Sequence, residues 1–430
     1  MAWNYSRFKE QVLLSGFVGN LGKLMSGTGF AHLLGIAVLP VLTRLYTPDE
    51  IGVYATFLSL LMICYCAASL RYEFATLIPR SQSAANNITM LAISLAMLTG
   101  MLLLIVLLLF RPFIAEVLNI QALGRLVYLL PLSVVSFSIF MILTFSLNRQ
   151  KKYGTIAAGK ITSSSSTAVF QIGMGLQQLQ QAGLVLGKVL GDFLGMIFLL
   201  WQRQKLRSSI LAGVSPRRMV VMARRYSNFP IYNTPHALTT SISNNFPVLL
   251  FNSWFSEAIA GFYAMAHKAL YSPVQVIGQA AYQVFSQRIS EKYGNQDKLI
   301  PFVKSTLLLL AAIGILPFLL LFWVSPPLFS WFLGPGWEMT GYFVRILTPF
   351  VFLVFIVTPL NFIPLLLGRQ KKAFLIDVTF MLSRLMALVA GIYQDNIWLA
   401  LSLYSAVGVL FSIYLLIWYY SLAKAAEKYV

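Results

Sequence analysis

The sequence predicts an all-α polytopic membrane protein with twelve transmembrane helices in two parallel six-helix repeats. Composition is the first reason: of the 430 residues, 58% are hydrophobic and 10% are charged, whereas soluble domains carry roughly 45–50% apolar and about 25% charged residues. Apolar runs of about 20 residues, the length of a membrane-spanning helix, recur along the whole chain. Short sequences of the first half also return in the second half, which indicates a duplication.

The apolar runs define twelve predicted spans between their polar breaks. The spans cover residues 11–39, 50–77, 86–110, 120–147, 154–175, 180–201, 229–252, 257–282, 302–324, 340–366, 373–393 and 396–420. We assign residues 1–201 to an N-terminal six-helix bundle, 202–228 to a basic cytoplasmic linker and 229–430 to a C-terminal six-helix bundle. The first span has no small-residue cleavage site, so we expect it to be retained.

The basic residues predict how the spans are oriented in the membrane. The formal net charge is +19, a value that would suggest a nucleic-acid partner in a soluble protein. With the N-terminus inside, we assign 23 Lys and Arg residues to the inner side, five to the interior of spans, and four to the outer side, namely Arg44, Arg111, Arg125 and Arg345, of which the last two lie near the outer ends of spans 4 and 10. This excess inside predicts that both termini are cytoplasmic. We therefore expect membrane lipids, and no nucleic acid, at the basic turns.

Three pairs of short sequences support the duplication. Residues 149–152 (RQKK) return at 369–372, residues 40–42 (PVL) return at 247–249, and residues 52–55 (GVYA) return at 261–264 as GFYA. The offsets are 220, 207 and 209 positions, which fit one duplication with small insertions. Because six spans is an even number, the two halves point the same way across the membrane. A transporter with its site near the midplane is the default expectation for such a repeat.

Two segments near the start resemble a known family. Residues 42–55 (LTRLYTPDEIGVYA) are similar to the first outer turn of bacterial polysaccharide-repeat flippases. Residues 68–73 (ASLRYE), followed by 78–81 (IPRS), are similar to the end of their second span. The family is the Wzx-type O-antigen and exopolysaccharide flippases, within the multidrug/oligosaccharidyl-lipid/polysaccharide exporter (MOP) superfamily. Span number, repeat and length agree with this family over the whole chain.

The resemblance implies a V-shaped fold like that of the multidrug MATE transporters, and a transporter rather than an enzyme. It implies that undecaprenyl-diphosphate-linked oligosaccharide moves from the cytoplasmic to the periplasmic leaflet of the bacterial inner membrane. A polysaccharide polymerase and a chain-length regulator are the partners it suggests. Five charged residues of the similar segments lie at membrane edges, where we expect gating roles: Arg44, Asp49, Glu50, Arg71 and Glu73.

Apart from charged residues near span ends that we assign to one side of the membrane, seven charged residues fall within the predicted spans: Lys23, Lys160, Lys188, Asp192, Lys268, Asp377 and Arg384. Because a charge in the bilayer core costs about 2.5–3.5 kcal/mol even on the mildest scale, such residues usually face water or a partner. Their sum of +3 predicts a cationic interior that attracts a diphosphate and repels cationic drugs. We expect the five cations to bind the diphosphate of the substrate.

The spacing of these charges leaves other roles open. Lys188 and Asp192 are i,i+4 neighbours that can pair with each other. Lys23, Lys160 and Arg384 lie near helix ends, from which a long side chain can reach the interface. Asp377 lies two turns before Arg384, and the two could alternately engage the substrate or a coupling proton.

Two rows of polar and aromatic side chains are candidates for sugar binding. The row on span 7 is Asn233, His236, Thr240 and Asn244; the row on span 8 is Tyr263, His267, Tyr271, Gln275 and Gln279. Amides and aromatic rings suit the edges and faces of sugars, but hydrogen bonding between helices explains both rows equally well. Span 6 carries a row of glycines, Gly183, Gly187, Gly191 and Gly195, which we interpret as helix packing.

Other functional classes fit the sequence less well. Residues 154–161 (GTIAAGKI) nearly spell a phosphate-binding loop but lack the Ser or Thr after the lysine, and the three histidines have no acidic or cysteine cluster beside them. We therefore expect no cofactor and no metal. Without a nucleotide site, transport is expected to draw on a proton gradient, a sodium gradient or the membrane potential, and the sequence leaves these three open. The alternatives are a drug/cation antiporter of the same superfamily, which should have an acidic interior, and a membrane polysaccharide polymerase, which should have a large periplasmic loop. Lipid II is the weaker alternative substrate, because its flippases usually have two further C-terminal spans.

Overall fold

The computed structural model describes residues 29, 33–205 and 213–427, and all regular structure in these ranges is helical. The helices, numbered in chain order, are α1 (Leu39–Leu45), α2 (Pro48–Ala68), α3 (Tyr72–Ala75), α4 (Gln82–Val117), α5 (Leu130–Arg149), α6 (Tyr153–Leu176), α7 (Gln180–Lys205), α8 (Pro216–Arg225), α9 (Thr234–Trp254), α10 (Glu257–Gly294), α11 (Ile300–Leu333), α12 (Glu338–Val357), α13 (Ile363–Leu366), α14 (Gln370–Tyr393) and α15 (Ile397–Glu427). A 3₁₀ segment precedes α5, another follows α12, and a π-helical turn leads into α9. Lys23 and most of span 1 lie outside the described residues.

Eight of the described helices are long and apolar enough to cross a membrane: α2, α4, α5, α7, α11, α12, α14 and α15. Three further long helices, α6, α9 and α10, occupy predicted spans 5, 7 and 8. Their polar side chains, such as the serine run at 163–166 in α6, lower their hydropathy. The predicted all-α membrane fold is confirmed, and the number of twelve spans stays a prediction.

Two of the spanning helices carry large exposed apolar surfaces. On α4 these side chains are Met97, Leu98, Met101, Leu102, Leu108, Leu109, Phe110 and Phe113. On α11 they are Leu308, Leu309, Ile313, Leu316, Leu320 and Trp323. Apolar patches of this extent mark contact with a membrane or with another protein. In a multi-pass protein they are the surface that faces the lipid chains.

The described residues form two compact units. The first contains the chain up to Tyr46 together with residues 57–238, and the second contains residues 47–56 together with the chain from Thr239 onward. In the first unit α4 packs on α5 and α6 packs on α7; in the second unit α11 packs on α12 and α14 packs on α15. Each unit therefore contains two corresponding helix pairs, as a duplication requires.

The glycine row of α7 is a packing surface. A Cβ atom added at Gly187 would lie 2.9 Å from the backbone nitrogen of Gln171, and one added at Gly191 would overlap Thr167. Helix α6 therefore approaches the backbone of α7 more closely than side chains on this face would allow. The interpretation of these glycines as helix packing is confirmed.

Helix α2 begins with a capping box, inside the segment that resembles the flippases. The Thr47 backbone N–H donates to Glu50 Oε2 at 2.9 Å, and the Glu50 N–H donates to Thr47 Oγ1 at 3.3 Å. Pro48, which has no N–H to satisfy, is the first residue of the helix. This arrangement satisfies amides that a helix start otherwise leaves free. Glu50 thus stabilises the start of α2, and its gating role stays a prediction.

The two copies of the repeated glycine sequence pack against each other. A Cβ atom at Gly52 of α2 would overlap the carbonyl oxygen of Glu257, and one at Gly261 of α10 would overlap the carbonyl oxygen of Pro48. Glu257 follows Pro48 by 209 positions, and Gly261 follows Gly52 by the same 209. The contact is therefore reciprocal, like the interface of a two-fold symmetric dimer. All four residues belong to the second unit, which explains why the start of α2 groups with it.

Arg345 of α12 replaces two hydrogen bonds that prolines remove from α11. Pro326 and Pro327 lack the N–H groups that would bond the carbonyls four residues earlier, those of Phe322 and Trp323. Arg345 donates from Nε to the Phe322 carbonyl and from Nη2 to the Trp323 carbonyl, each at 2.9 Å. One side chain thereby satisfies both carbonyls in a region where lipid offers no donor.

We expect Gly52→Ala to lower the thermal unfolding temperature in detergent. The new methyl group would overlap the Glu257 backbone, which cannot rotate away as a side chain could, and overpacking of this kind typically costs about 1–3 kcal/mol. Gly261→Ala should give a similar loss because the contact is reciprocal. Gly154→Ala in α6 is the matched control, since open space surrounds that position. An unchanged unfolding temperature for Gly52→Ala and Gly261→Ala would show that the helices do not meet here.

We expect Arg345→Met to destabilise the protein by about 2 kcal/mol, because two carbonyls lose their donor. The same substitution should cost less in a Pro326→Ala/Pro327→Ala background, where new N–H groups can bond those carbonyls. Thermal unfolding of the wild type, both variants and their combination measures the coupling between the sites. Purely additive effects would contradict the inference that the arginine compensates for the prolines.

Candidate functional site

The second unit buries the guanidinium of Arg384 among aromatic rings. The guanidinium carbon lies 4.0 Å from the ring centre of Tyr404, 4.9 Å from that of Phe380 and 5.0 Å from that of Phe350. Its Nη1 donates to Ser243 Oγ at 3.3 Å, whereas its Nε has no hydrogen-bond partner among the described residues. Only 4% of Arg384 is exposed. Cation–π attraction therefore takes over part of the role that water plays for an exposed charge.

The aromatic row of α10 contributes the other side of this cluster. The Tyr263 hydroxyl bonds the Tyr404 hydroxyl at 3.2 Å, and the rings of His267 and Tyr271 stack with their centres 4.1 Å apart. Tyr271 also interacts with the guanidinium. Further along the row, Gln275 is exposed. The predicted row therefore divides, with its aromatic members beside the buried cation and its glutamines on the exposed part of the helix.

Arg384 has no countercharge in the described part of the chain: none of the ion pairs there includes it. Asp377, two turns earlier on α14, is half-buried. Lys268 is exposed and follows His267 directly, so it lies on a different face of α10 from the aromatic row. The structure thus brings Arg384 together with the α10 row, and it does not bring Lys268 into that cluster.

In the first unit, Lys188 and Asp192 of α7 form an ion pair. Lys188 Nζ lies 2.8 Å from Asp192 Oδ1, and the side chains are 17% and 3% exposed. Ser163 of α6 donates to the same carboxylate oxygen at 3.2 Å, and Phe137 lies under the ammonium group at 5.2 Å. The pairing indicated by their spacing is confirmed. Lys160, one turn before Ser163 in α6, is half-buried and lies within predicted span 5.

The polar row of span 7 is exposed along its whole length. Its members are Asn233, His236, Thr240 and Asn244. Their spacings of three and four residues place them on one face of the helix, while neighbouring Ser241 and Ser243 are buried. Polar side chains within spanning helices usually face water or protein rather than lipid. This row is therefore chemically suited to a hydrated ligand.

The turn after α2 holds Arg71 and Glu73 in an ion pair. Arg71 Nη1 lies 3.3 Å from Glu73 Oε1, and the Ser69 hydroxyl donates to the same carboxylate. Arg71 has a left-handed backbone with φ of 62°, a conformation that costs a non-glycine residue about 1–2 kcal/mol. Its guanidinium also lies 5.5 Å from the Tyr65 ring centre and 5.4 Å from that of Phe74. These contacts stabilise the turn, and a gating role for the pair stays a prediction.

The outer turn contains one buried anchor that its sequence did not reveal. Arg44 and Asp49 are exposed, and Arg44 donates to the Pro40 carbonyl of its own helix at 2.8 Å. Tyr46 is instead buried, and its hydroxyl donates to the Gln171 carbonyl at 2.7 Å. Tyr46 therefore fixes this turn to α6, and the gating roles of Arg44 and Asp49 stay predictions.

Sequence reasoning also missed three residues inside the units. The sequence places Arg203 in the basic linker, but it is 1% exposed and donates to Ser146 and to Asn86 Oδ1. Six further basic residues follow Arg203 before span 7, so in the sequence it looks like one more member of the linker, whereas in the structure it is a buried residue of α7. Tyr404 and Ser243 belong to the Arg384 cluster, and neither stands in a periodic polar pattern that could have revealed it.

A family model for polysaccharide biosynthesis proteins matches residues 41–340, well over half of the chain. The chain belongs to this polysaccharide biosynthesis protein family. The match includes the outer turn at 42–55, so the resemblance drawn from that turn is confirmed at the level of the family. A search of curated protein sequences finds no match.

Solved transporters share the fold of this polysaccharide biosynthesis protein. Lipid II flippase MurJ, in an inward closed conformation, has a TM-score of 0.72 at 13% identity over 92% of this chain and 86% of its own. An inward-facing multidrug resistance MATE transporter of the MOP superfamily has a TM-score of 0.61 at 13% identity over 94% and 96%. A MOP superfamily transporter from Pyrococcus furiosus has a TM-score of 0.54 at 12% identity over 94% of both chains. The predicted MATE-like fold is confirmed.

We expect Lys188→Met to lower stability by about 3–5 kcal/mol, because the buried Asp192 carboxylate loses its partner. The double variant Lys188→Met/Asp192→Leu should recover most of this loss, since no unpaired charge remains. Lys151→Met, at an exposed position, is the control and should unfold at the wild-type temperature. Thermal unfolding in detergent makes the comparison. A Lys188→Met protein as stable as the control would contradict the structural role of the pair.

Proposed function

We propose that this polysaccharide biosynthesis protein is a flippase. In this proposal it moves undecaprenyl-diphosphate-linked polysaccharide repeat units, of O-antigen or exopolysaccharide type, from the cytoplasmic to the periplasmic leaflet by alternating access. The family supports a polysaccharide substrate. The fold, which a lipid II flippase and MATE transporters share, supports movement across the membrane. The single observation that carries the proposal is the buried, uncompensated charge of Arg384.

The chemistry of Arg384 suits a diphosphate. A guanidinium presents several N–H donors in a plane and binds phosphate oxygens in pairs. In the described structure Nη1 donates to the Ser243 hydroxyl and Tyr271 also bonds the guanidinium, but Nε has no hydrogen-bond partner there, so a donor remains for an anion. Because the residue is only 4% exposed, the proposal requires the aromatic cluster to open when substrate binds. The energy of burying the charge then favours the state in which an anion compensates it.

The other intramembrane charges take unequal parts in this proposal. Lys268 is exposed and Lys160 is half-buried, so both are candidates for binding the diphosphate during its passage. Lys188 contributes little to the attraction of the diphosphate, because its ion pair with Asp192 cancels its charge over longer distances. Lys23 keeps its predicted role.

The sugars are assigned to the exposed polar residues of α9 and α10. These are Asn233, His236, Thr240, Asn244 and Gln275. Amide and hydroxyl groups can exchange hydrogen bonds with water for hydrogen bonds with sugar hydroxyls, and such a row tolerates several sugar sequences. We propose that this polar row binds the glycan while the cations bind the diphosphate.

The Arg384 cluster also supports a flippase over a drug/cation antiporter. Aromatic cages bind organic cations, but here the guanidinium of the protein itself lies against three rings. A MOP transporter from Pyrococcus furiosus is described as having a binding pocket of reversed polarity that suggests a different function. We therefore take the sign of the internal charge as a property that can separate transporters of different function within this fold.

We further propose that the protein lies in the bacterial inner membrane with both termini in the cytoplasm, which its basic turns support. A proton or sodium gradient drives the transport in this proposal, and Asp377 is the candidate group for the coupling ion. A polysaccharide polymerase and a chain-length regulator then act on the exported units.

We expect Arg384→Gln to abolish glycan export, whereas Arg384→Lys should keep part of it, because lysine retains the charge but loses the planar donors. The measurement is surface glycan in a deletion host that carries each variant at equal membrane levels. Lys424→Gln, at an exposed cation of α15, is the matched control. Thermal unfolding separates a folding defect from a transport defect. A folded Arg384→Gln protein with normal export would rule out the assigned role.

The deletion host itself tests the reaction. We expect loss of surface glycan, with single complete repeat units on undecaprenyl diphosphate stranded in the cytoplasmic leaflet. Single repeats on the periplasmic leaflet would indicate a polymerase instead. Unchanged glycan with altered drug tolerance would indicate an antiporter.

A further inference from the structure

Helix α8 and the residues just before it are held against α3 and the start of α4 by polar and apolar contacts. The Tyr72 hydroxyl donates to the Ala223 carbonyl at 2.9 Å. Asn87 Nδ2 donates to the Gly213 carbonyl at 2.9 Å, and the Ser215 N–H donates to Asn87 Oδ1 at 3.0 Å. The inward face of α8 adds apolar contacts with the same region.

The outward face of α8 combines four arginines with two valines. The exposed arginines are Arg217, Arg218, Arg224 and Arg225. Val220 and Val221 lie between them in sequence and are 54% and 57% exposed. A solvated charge run would place polar residues at those positions. Basic and apolar side chains on one surface instead suit the boundary between lipid headgroups and acyl chains.

No exposed carboxylate balances this face at its end of the first unit. Among the described residues of the unit, Glu73 and Asp192 are buried in ion pairs, and Glu116 lies near the far end of α4. Further exposed basic residues of the same unit are Arg80, Lys151 and Lys152. The surface is therefore cationic and complements an anionic partner.

The contacts of α8 place it at the edge of the membrane. It lies in an apolar cluster that includes residues 88–96 of α4, and the row of large exposed apolar side chains on α4 begins directly afterwards, at Met97. The 36 residues of α4 are about 54 Å long, whereas the hydrocarbon core is about 30 Å thick. The first turns of α4, and α8 with them, therefore extend into the headgroup region.

We propose that the outward face of α8 binds the headgroups of anionic phospholipids, in the leaflet that the basic turns mark as cytoplasmic. The four arginines contact the phosphates, and the two valines enter the upper acyl region. The bound lipid thereby holds the segment that joins α7 to α9. This inference rests on α8 and α4 and does not depend on the proposed flippase activity.

The test compares full-length protein in nanodiscs of phosphatidylcholine alone and with increasing phosphatidylglycerol. Wild type should show a rising unfolding temperature with phosphatidylglycerol. We then measure the phosphatidylglycerol fraction at which half of this rise in unfolding temperature is reached. In the variant Arg217→Gln/Arg218→Gln/Arg224→Gln/Arg225→Gln, that fraction should be at least about fivefold higher than in wild type. The control removes the same charge from exposed positions of the second unit, Arg288→Gln/Lys298→Gln/Lys371→Gln/Lys424→Gln. These cations lie on separate helices and turns, so we expect a much smaller shift than in the α8 variant.

A second measurement follows α8 itself, with a spin label on Val221→Cys in a Cys64→Ser/Cys66→Ser background. In phosphatidylglycerol membranes we expect the label to be reached by oxygen and shielded from a water-soluble relaxation agent. An equal response of the α8 variant and the control variant would overturn the proposal. A label that stays accessible to the water-soluble agent in every membrane would overturn it too, since α8 would then be a solvated helix.

Discussion

Lipid gives helices no hydrophobic reason to associate, because acyl chains are as apolar as the side chains they surround. The helices of this protein are therefore joined where glycine lets backbones or rings approach. Gly191 of α7 admits α6, Gly391 of α14 admits α15, and Gly408 of α15 receives the ring of Phe350. That ring is one of the three around Arg384. The environment of the buried cation thus depends on a position that carries no side chain at all.

The two units share helix pairs but treat their internal charges differently. In the first, Lys188 is neutralised by Asp192 one turn away. In the second, Arg384 is surrounded by rings and has no carboxylate partner in the described structure. A neutral pair has little effect on a distant ion, whereas a desolvated cation without a partner affects it strongly. The duplicated bundles have therefore diverged in how these two internal charges are compensated, by a carboxylate for Lys188 and by aromatic rings for Arg384.

The fold class was predictable from the sequence because a lipid environment requires long apolar helices. These helices are visible in the composition and in the length of the apolar runs. The repeat was predictable because its copies kept recognisable residues, including Gly52 and Gly261. The end of span 2 was not predictable: the apolar run continues to residue 77, but α2 ends at Ala68, where Leu70 and Arg71 take left-handed backbone conformations. Composition carries no information about such a change of backbone direction.

The candidate site was predictable only in part, for a different reason. Arg384 and the α10 row are unusual residues for a spanning helix, so they could be recognised one at a time. Their association could not, because it depends on Ser243, Phe350 and Tyr404, which come from three other helices and are ordinary in their own segments. Periodicity describes one helix and is silent about which faces meet.

Arg345 and the two prolines of α11 have a consequence for how this protein could have evolved. Without the arginine, each proline leaves a bare carbonyl at the end of a membrane helix. With the arginine in place, its N–H groups donate to both carbonyls at 2.9 Å. The accessible mutational route therefore introduces the arginine first and the prolines afterwards. Once Pro326 and Pro327 are present, loss of the arginine leaves two carbonyls without donors, so selection retains a side chain that α11 would not need without its prolines.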